Sequence, residues 1–225
     1  MLKCPISTLL YLAKLNIKDK IQDILKIHNN IDVKLTITVK DKDGKIIKVH
    51  KQKSHSFVAN FMYLLGSLLA DKQYNWTDIS GSVQQYNSGN MSLAGILDAN
   101  CSSWGASINN CGIVIGTGTA TPTPGDYNLG NQIANGTGSG QMVYNNPSFS
   151  TPSVNGNTTS MTITQSFQNQ SGASITVTEV GIEVLVYTNS GTNDHALIVH
   201  DLLSSPITVA NLSILQITYT ISVTT

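Results

Sequence analysis

Hydrophobic residues recur at helical spacing in two segments near the start of the chain. From Ile17 to Ile27 they fall three or four positions apart, with lysines and aspartates between them, which predicts a short amphipathic helix. From Phe57 to Leu69 a second helix is predicted, with Ser54 as its N-cap. Its apolar residues cover more than the roughly 100° stripe that one packing surface requires, so we expect another chain to bury part of it. The predicted interface residues are Phe57, Phe61, Leu64, Leu65 and Leu68.

Between these two helical segments, apolar and polar residues alternate strictly. Val33 to Val39 reads as a half-buried strand, and the apolar positions continue from Ile46 to Val49. The intervening Asp41-Lys-Asp-Gly44 is typical of a turn that needs a positive φ. The pattern therefore predicts a β-hairpin with a lysine-rich outer face.

The rest of the chain predicts a series of strands joined by turns rich in Gly, Ser, Thr and Asn. A Gly/Pro/Thr-rich loop over Thr117–Asn131 interrupts the series. The predicted strands are Gly112–Gly116, Met142–Phe149, Thr158–Phe167, Ile175–Thr188, Ala196–Leu203 and Ile214–Val223. We therefore predict a mainly β fold with an antiparallel β-sandwich or jelly-roll-like body and a small N-terminal α+β region of helix, hairpin and helix.

Charge is distributed very unevenly along a chain whose formal net charge is zero. All thirteen lysines lie at or before Lys72, beside six acids, whereas residues 73–225 carry seven acids, no lysine and no arginine. Such asymmetry indicates two regions in different surroundings. We predict a basic α+β head over residues 1–72 and a lysine-free β-sandwich over residues 73–225.

The ionisable residues of the second region form no recognisable catalytic or metal-binding motif. Glu179 and Glu183 would lie about 13 Å apart along one strand, too far for a pair of glycosidase carboxylates, so a solvated face is predicted for them. His195 and His200 would point to opposite faces of their strand, which argues against a shared metal. The glycines of Gly112–Gly118 lack the lysine of a phosphate-binding loop. We therefore expect no enzyme activity, cofactor or metal.

Cysteines and asparagines provide candidate modification sites. Cys101 and Cys111 bracket a short segment and are either a disulfide or two thiols. Seven Asn-x-Ser/Thr sequons, all in the lysine-free region, are candidate glycosylation sites. These sequons begin at Asn75, Asn90, Asn100, Asn135, Asn157, Asn169 and Asn211.

The basic head could contact a nucleic acid, although without arginine or interleaved aromatic residues such contact would be sensitive to salt and blind to sequence. A solvated outer strand face is the alternative interpretation. The longest apolar stretch, Phe57–Ala70, is shorter than the roughly 20 residues that a membrane-spanning helix needs, so no membrane span is predicted.

Six motifs, in order along the chain, carry a resemblance to known proteins. They are Lys53–Phe61, Gly116–Gly118, Thr121–Gly130, Asn169–Ile182, Leu197–Leu203 and Ile217–Val223. Over about three quarters of its length the chain resembles tail, adaptor or head-associated structural proteins of viruses of bacteria and archaea, with spindle-shaped archaeal viruses a fitting source. The resemblance implies a location in the virion, a homo-oligomeric ring and contacts with other virion structural proteins. It brings no catalytic residues.

A second class of function shares the same β body. A cell-surface adhesin or carbohydrate-binding module would also be a β-sandwich, but it should display a cluster of exposed aromatic side chains. The candidates for such a cluster are Trp104, Tyr127 and Tyr144.

Overall fold

The computed structural model describes residues 30–54, 57–86, 98–100 and 111–225. Between the named strands of these residues every pairing is antiparallel. In chain order the elements are β1 (Asn30–Lys40), β2 (Ile46–Ser54), α1 (Ala59–Ala70), β3 (Asn75–Thr77), β4 (Val83–Gln85), β5 (Gly112–Gly116), β6 (Val143–Tyr144), β7 (Ser148–Phe149), β8 (Ser153–Asn155), β9 (Thr158–Gln168), β10 (Ile175–Tyr187), β11 (Asn193–Val209) and β12 (Ile214–Thr224).

The larger sheet has the strand order β2–β1–β12–β9–β6, and the short strands β7 and β8 also pair with β9. From Val33 to Val39 and from Leu215 to Tyr219 the odd-numbered residues point inward, because the side-chain period of a strand is two. Leu35, Ile37, Ile217 and Tyr219 are fully buried in this way. The alternation in the sequence therefore fixes which face of the larger sheet meets the core.

The smaller sheet has the order β11–β10–β5, and its side chains join those of the larger sheet in one hydrophobic core. The sheets come together at one edge, where Gln52 of β2 donates to the Leu202 carbonyl at 3.1 Å and accepts from the Ser204 amide at 2.9 Å. Almost the whole of β10 is buried on both faces. Its second face is covered by the loop of residues 117–131, whose Leu129 packs over Gly181.

The helix α1 is fastened to β11 and to the small hairpin of β3 and β4. It begins at Ala59, five positions after Ser54 at the end of β2, so the prediction of Ser54 as the N-cap is wrong. The N-cap position belongs to Val58, whose backbone amide donates to the Ile198 carbonyl of β11 at 3.1 Å. Strand pairing by residues 57 and 58 thus delays the start of the helix.

The prediction of a mainly β, sandwich-like fold is confirmed. The hairpin of β1 and β2 is also confirmed, with Gly44 at a positive φ of 82° in its turn. Its first strand pairs with β12 over its whole length, so part of the basic region and the C-terminal strand share one sheet. The boundary at residue 72 stays a prediction, and the helix predicted at Ile17–Ile27 lies outside the described residues.

Candidate functional site

The helix α1 buries its polar residues Asn60 and Ser67 together with Leu64, and it leaves other apolar side chains exposed. Asn60 is buried, where its amide group donates to the Thr77 carbonyl at 2.8 Å and accepts from the Thr77 amide at 3.0 Å. Ser67, one of the other inward residues, donates to the Tyr63 carbonyl at 2.9 Å and is also buried. The inner face can be polar because strand and helix backbone groups satisfy these side chains.

The outer face of α1 is apolar and exposed. Met62 is 61% exposed and Leu69 is 78% exposed, and they lie on one side of the helix, about two turns apart. The helix carries no charged residue over its whole length. We call Met62, Tyr63, Leu68 and Leu69, all of them exposed, the outward apolar face.

The predicted interface residues of this helix separate into two groups. Leu64 is fully buried inside its own chain and is not accessible to another chain. Leu65 is half-buried, and Leu68 belongs to the outward apolar face. Phe57 and Phe61 stack on each other at 4.2 Å and line a cavity of about 560 Å³ between the two sheets. The exposed surface is therefore smaller than the sequence predicted, and its centre lies at Met62 and Leu69.

Three ionisable side chains form a buried hydrogen-bonded chain on the second face of β10. His200 of β11 contacts Glu179 of β10 through Nε2, with 3.0 Å to Oε2, and contacts Asp126 through Nδ1, with 2.7 Å to Oδ2. His200 and Glu179 are buried, and Asp126 is half-buried. We call Asp126, His200 and Glu179 the ionic triad.

Backbone amides complete the coordination of the Glu179 carboxylate. Oε1 accepts from the amides of Gly118 at 2.7 Å and Asn131 at 2.8 Å, and Oε2 accepts from Gly130 at 3.0 Å. A Cβ at Gly118 would lie 2.5 Å from Oε1, so only glycine lets the backbone approach this closely. The carboxylate therefore fastens both ends of the loop of residues 117–131 to the smaller sheet.

The hydrogen bonds of the triad decide its charge state. Burial alone would lower the pKa of His200, but its hydrogen bonds to Glu179 and Asp126 and their negative charges raise that pKa above its ordinary value. Burial alone would raise the pKa of Glu179, but the hydrogen bonds from His200 and the three amides lower it. The pKa of Asp126 is likewise lowered by hydrogen bonds from Thr123 and His200, which outweigh burial. The arrangement favours an imidazolium between two carboxylates.

The same loop also supports the start of α1. The Pro124 carbonyl accepts from the Ala59 amide at 2.8 Å, and Val58 supplies no side-chain cap. Thr123 donates to Asp126 through its hydroxyl at 2.6 Å and its backbone amide at 2.9 Å. The ionic triad, the Thr123–Asp126 turn and the first turn of α1 are therefore connected by consecutive hydrogen bonds.

No family model, curated protein or solved structure matches this chain. Both nitrogens of His200 are bonded to carboxylates, so this histidine has no lone pair for a general base or a metal ligand. Among the described residues, no group of three or more His, Cys, Asp or Glu side chains could hold a metal ion.

The prediction of a solvated face for Glu179 and Glu183 is wrong, because both side chains are buried. His200 lies within β11, and its side chain is buried. The sequence predicted a loop over Thr117–Asn131 but not that this loop folds back over β10. The spacing Gly116-x-Gly118 and the turn sequence Thr123-Pro-Gly-Asp126 were the signals that could have indicated this.

The candidate modification sites have different surroundings. Cys111 is buried and its thiol donates to the Asp98 carbonyl at 3.4 Å, while Cys101 lies outside the described residues, so their pairing stays a prediction. Asn169 is fully buried with its amide donating to two carbonyls, which leaves no room for a glycan in the folded chain. Asn90 lies outside the described residues. Asn75, Asn100, Asn157 and Asn211 are exposed and Asn135 is half-buried.

The lysines of the hairpin lie on its surface, where acids offset part of their charge. Lys34 and Lys53 lie 3.4 and 3.9 Å from the carboxylate of Asp32. Lys51 is exposed beside them. Such exposed pairs are worth at most about 1 kcal/mol each.

In the part of the chain that the structure describes, no helix is long and apolar enough to cross a membrane.

Proposed function

We propose that this chain is a structural protein of the virion of a prokaryotic virus and acts by self-assembly into a homo-oligomer, such as a tail adaptor, nozzle or head-tail junction ring. The observation that carries the proposal is the outward apolar face of α1. A helix that buries Asn60 and Ser67 while Met62 and Leu69 stay exposed leaves apolar surface in contact with water in a monomer. A second copy of the chain would remove that apolar surface from water.

The β-sandwich that supports this face is suited to a structural role. Its core is continuous across two sheets, and the ionic triad holds the loop of residues 117–131 against the smaller sheet. Exposed apolar groups on a rigid support associate at a low cost in conformational entropy. The proposal therefore assigns the α1 face to the contact between subunits and the sandwich to its support. The lysine-bearing hairpin is assigned to contacts with other virion components, nucleic acid among them.

A cell-surface adhesin or carbohydrate-binding module is less well supported. Of its three candidate aromatic residues, Tyr144 is buried and packs edge-on against Phe167 at 4.7 Å. Tyr127 is exposed, and Trp104 lies outside the described residues. Of the two candidates that the structure describes, only Tyr127 is exposed, which favours the assembly proposal.

The location of the chain tests this proposal. An antibody against the purified chain should label intact particles released by the cells that express it, and electron microscopy of the purified chain should show closed rings. A chain that is found only on the cell envelope and stays monomeric would overturn the proposal in favour of the adhesin.

A further inference from the structure

The ionic triad needs a proton on each nitrogen of His200. A neutral imidazole has one N–H donor and one acceptor, whereas both neighbours of His200 are carboxylate oxygens that can only accept. We propose that protonation of His200 decides whether the Thr123–Asp126 turn stays fastened to β11, and through that turn whether the start of α1 is held in place. The consequence for assembly rests on the proposed function, whereas the switch itself does not.

The two bonds of His200 differ in how easily they break. Glu179 is buried and held by three backbone amides besides His200, so it cannot turn away. Asp126 is half-buried and sits on a turn at the surface, where water can replace the imidazole. When His200 loses a proton it therefore keeps its bond to Glu179, and its Nδ1 lone pair then faces the Asp126 carboxylate. Repulsion between them releases the turn.

Release of the turn reaches α1 through one hydrogen bond. The Pro124 carbonyl accepts the Ala59 amide, which is the first amide of the helix. With no side-chain cap from Val58, loss of that acceptor leaves the first turn of α1 unsupported on this side. The outward apolar face begins at Met62, about one helical turn after Ala59, so its position depends on this hydrogen bond.

The charged groups around His200 set the pH range of the switch. Glu179 faces it from β10 and Asp126 from the loop, while Asp201, its neighbour on β11, instead accepts from the hydroxyl of Tyr219. The strand β5 and the helix α1 have no charged residue. Because the pKa of His200 is raised in the fastened state, the bond to Asp126 is fully present below the ordinary value of 6.5 and is lost as pH rises through the raised value. At the acid end, the lowered pKa values of Glu179 and Asp126 keep the triad intact until pH falls through them.

Hydrogen exchange read by mass spectrometry tests the switch on the full chain. Peptides that cover residues 57–62 and 120–128 are followed from mildly acid to alkaline pH, with correction for the intrinsic exchange rate, and a β9 peptide serves as the reference. One proton is released on opening, so the opening constant should rise by up to about tenfold per pH unit between the ordinary and the raised pKa of His200, and level off above it. The β9 peptide should show no such rise.

Two variants separate the switch from a general loss of stability. His200→Gln carries no proton to lose, so both peptides should exchange fast at every pH and show no pH step. Asp126→Asn offers an amide donor to neutral His200, so the step should disappear while the fold is kept, which covers the case in which His200→Gln does not fold. A wild-type chain with no step, or an Asp126→Asn chain with the same step, would overturn the proposal. The measurement reads the opening of one chain, so a monomer that still shows the step would refute the assembly proposal and leave the switch standing.

Discussion

Gly118 is the position where a single methyl group tests the account of the ionic triad most sharply. In Gly118→Ala the new Cβ would lie 2.5 Å from Oε1 and 2.6 Å from Cδ of Glu179. The Glu179 side chain cannot retreat without giving up its hydrogen bonds to His200 and to three backbone amides. Either the loop or the carboxylate must therefore move.

The size of the effect follows from what must be lost. Forcing a methyl group into a packed site costs about 1–3 kcal/mol, and a hydrogen bond to a charged group is worth about 1.5–3 kcal/mol. The alanine gains about 0.4–1 kcal/mol back because it restricts the unfolded chain. We expect Gly118→Ala to reduce the free energy of unfolding by about 3 kcal/mol, which for a chain of this size lowers Tm by about 6–12 °C.

Gly125→Ala is the matched control in the same loop. Its Cβ would meet only the Thr123 hydroxyl, at 4.0 Å, and its φ is not positive. We expect this variant to have wild-type stability or slightly more. Thermal and urea unfolding followed by circular dichroism compare the two. Equal stability of Gly118→Ala and Gly125→Ala would refute the tight approach of loop and carboxylate.

Two further substitutions test the core and the helix. Tyr219→Phe removes the 2.9 Å hydrogen bond that the buried hydroxyl donates to Asp201, and should lower the free energy of unfolding by about 1–3 kcal/mol. An unchanged midpoint in urea unfolding would contradict this role of the hydroxyl. Leu64→Ala should lower the free energy of unfolding by about 2–5 kcal/mol because the side chain is fully buried, whereas Leu69→Ala should lower that of the monomer by less than about 0.5 kcal/mol. The reverse order would mean that the helix presents its other face to the core.

The strands could be predicted because each has one face in the core and a side-chain period of two. Val33 to Val39 and Leu215 to Val223 alternate cleanly, and their observed pairing joins inward position to inward position. The strand β11 runs further than predicted, over Asn193–Val209, because its end lies against β10 and β2 despite polar residues such as Ser204. Pairing of this kind depends on neighbours that the local pattern does not contain.

The ionic triad could not be predicted, because its members are far apart in the chain. Asp126 and His200 are 74 positions apart, and Glu179 is 21 positions from His200. A buried glutamate on a strand looks like a solvent-facing one until the loop that covers it is known. The helix raised a different difficulty: its apolar pattern predicted an interface with another chain at Leu64 and Phe61, yet Leu64 is buried in its own chain. Hydrogen bonds to Thr77 hold Asn60 inward, while Met62 and Leu69 lie outside.

Sedimentation velocity of the chain and of the double variant Met62→Asp/Leu69→Asp tests the central claim, that the outward apolar face joins subunits. Both residues are more than half exposed in one chain, so the substitutions should leave its folding intact. Each buried large side chain contributes about 1.5–3 kcal/mol, so losing two should weaken association at least about a hundredfold. Val154→Asp, at a residue 74% exposed on β8, is the control. The account predicts an oligomer for the wild type and for Val154→Asp and a folded monomer for the double variant; a wild-type monomer, or an oligomer that survives the double substitution, would contradict it.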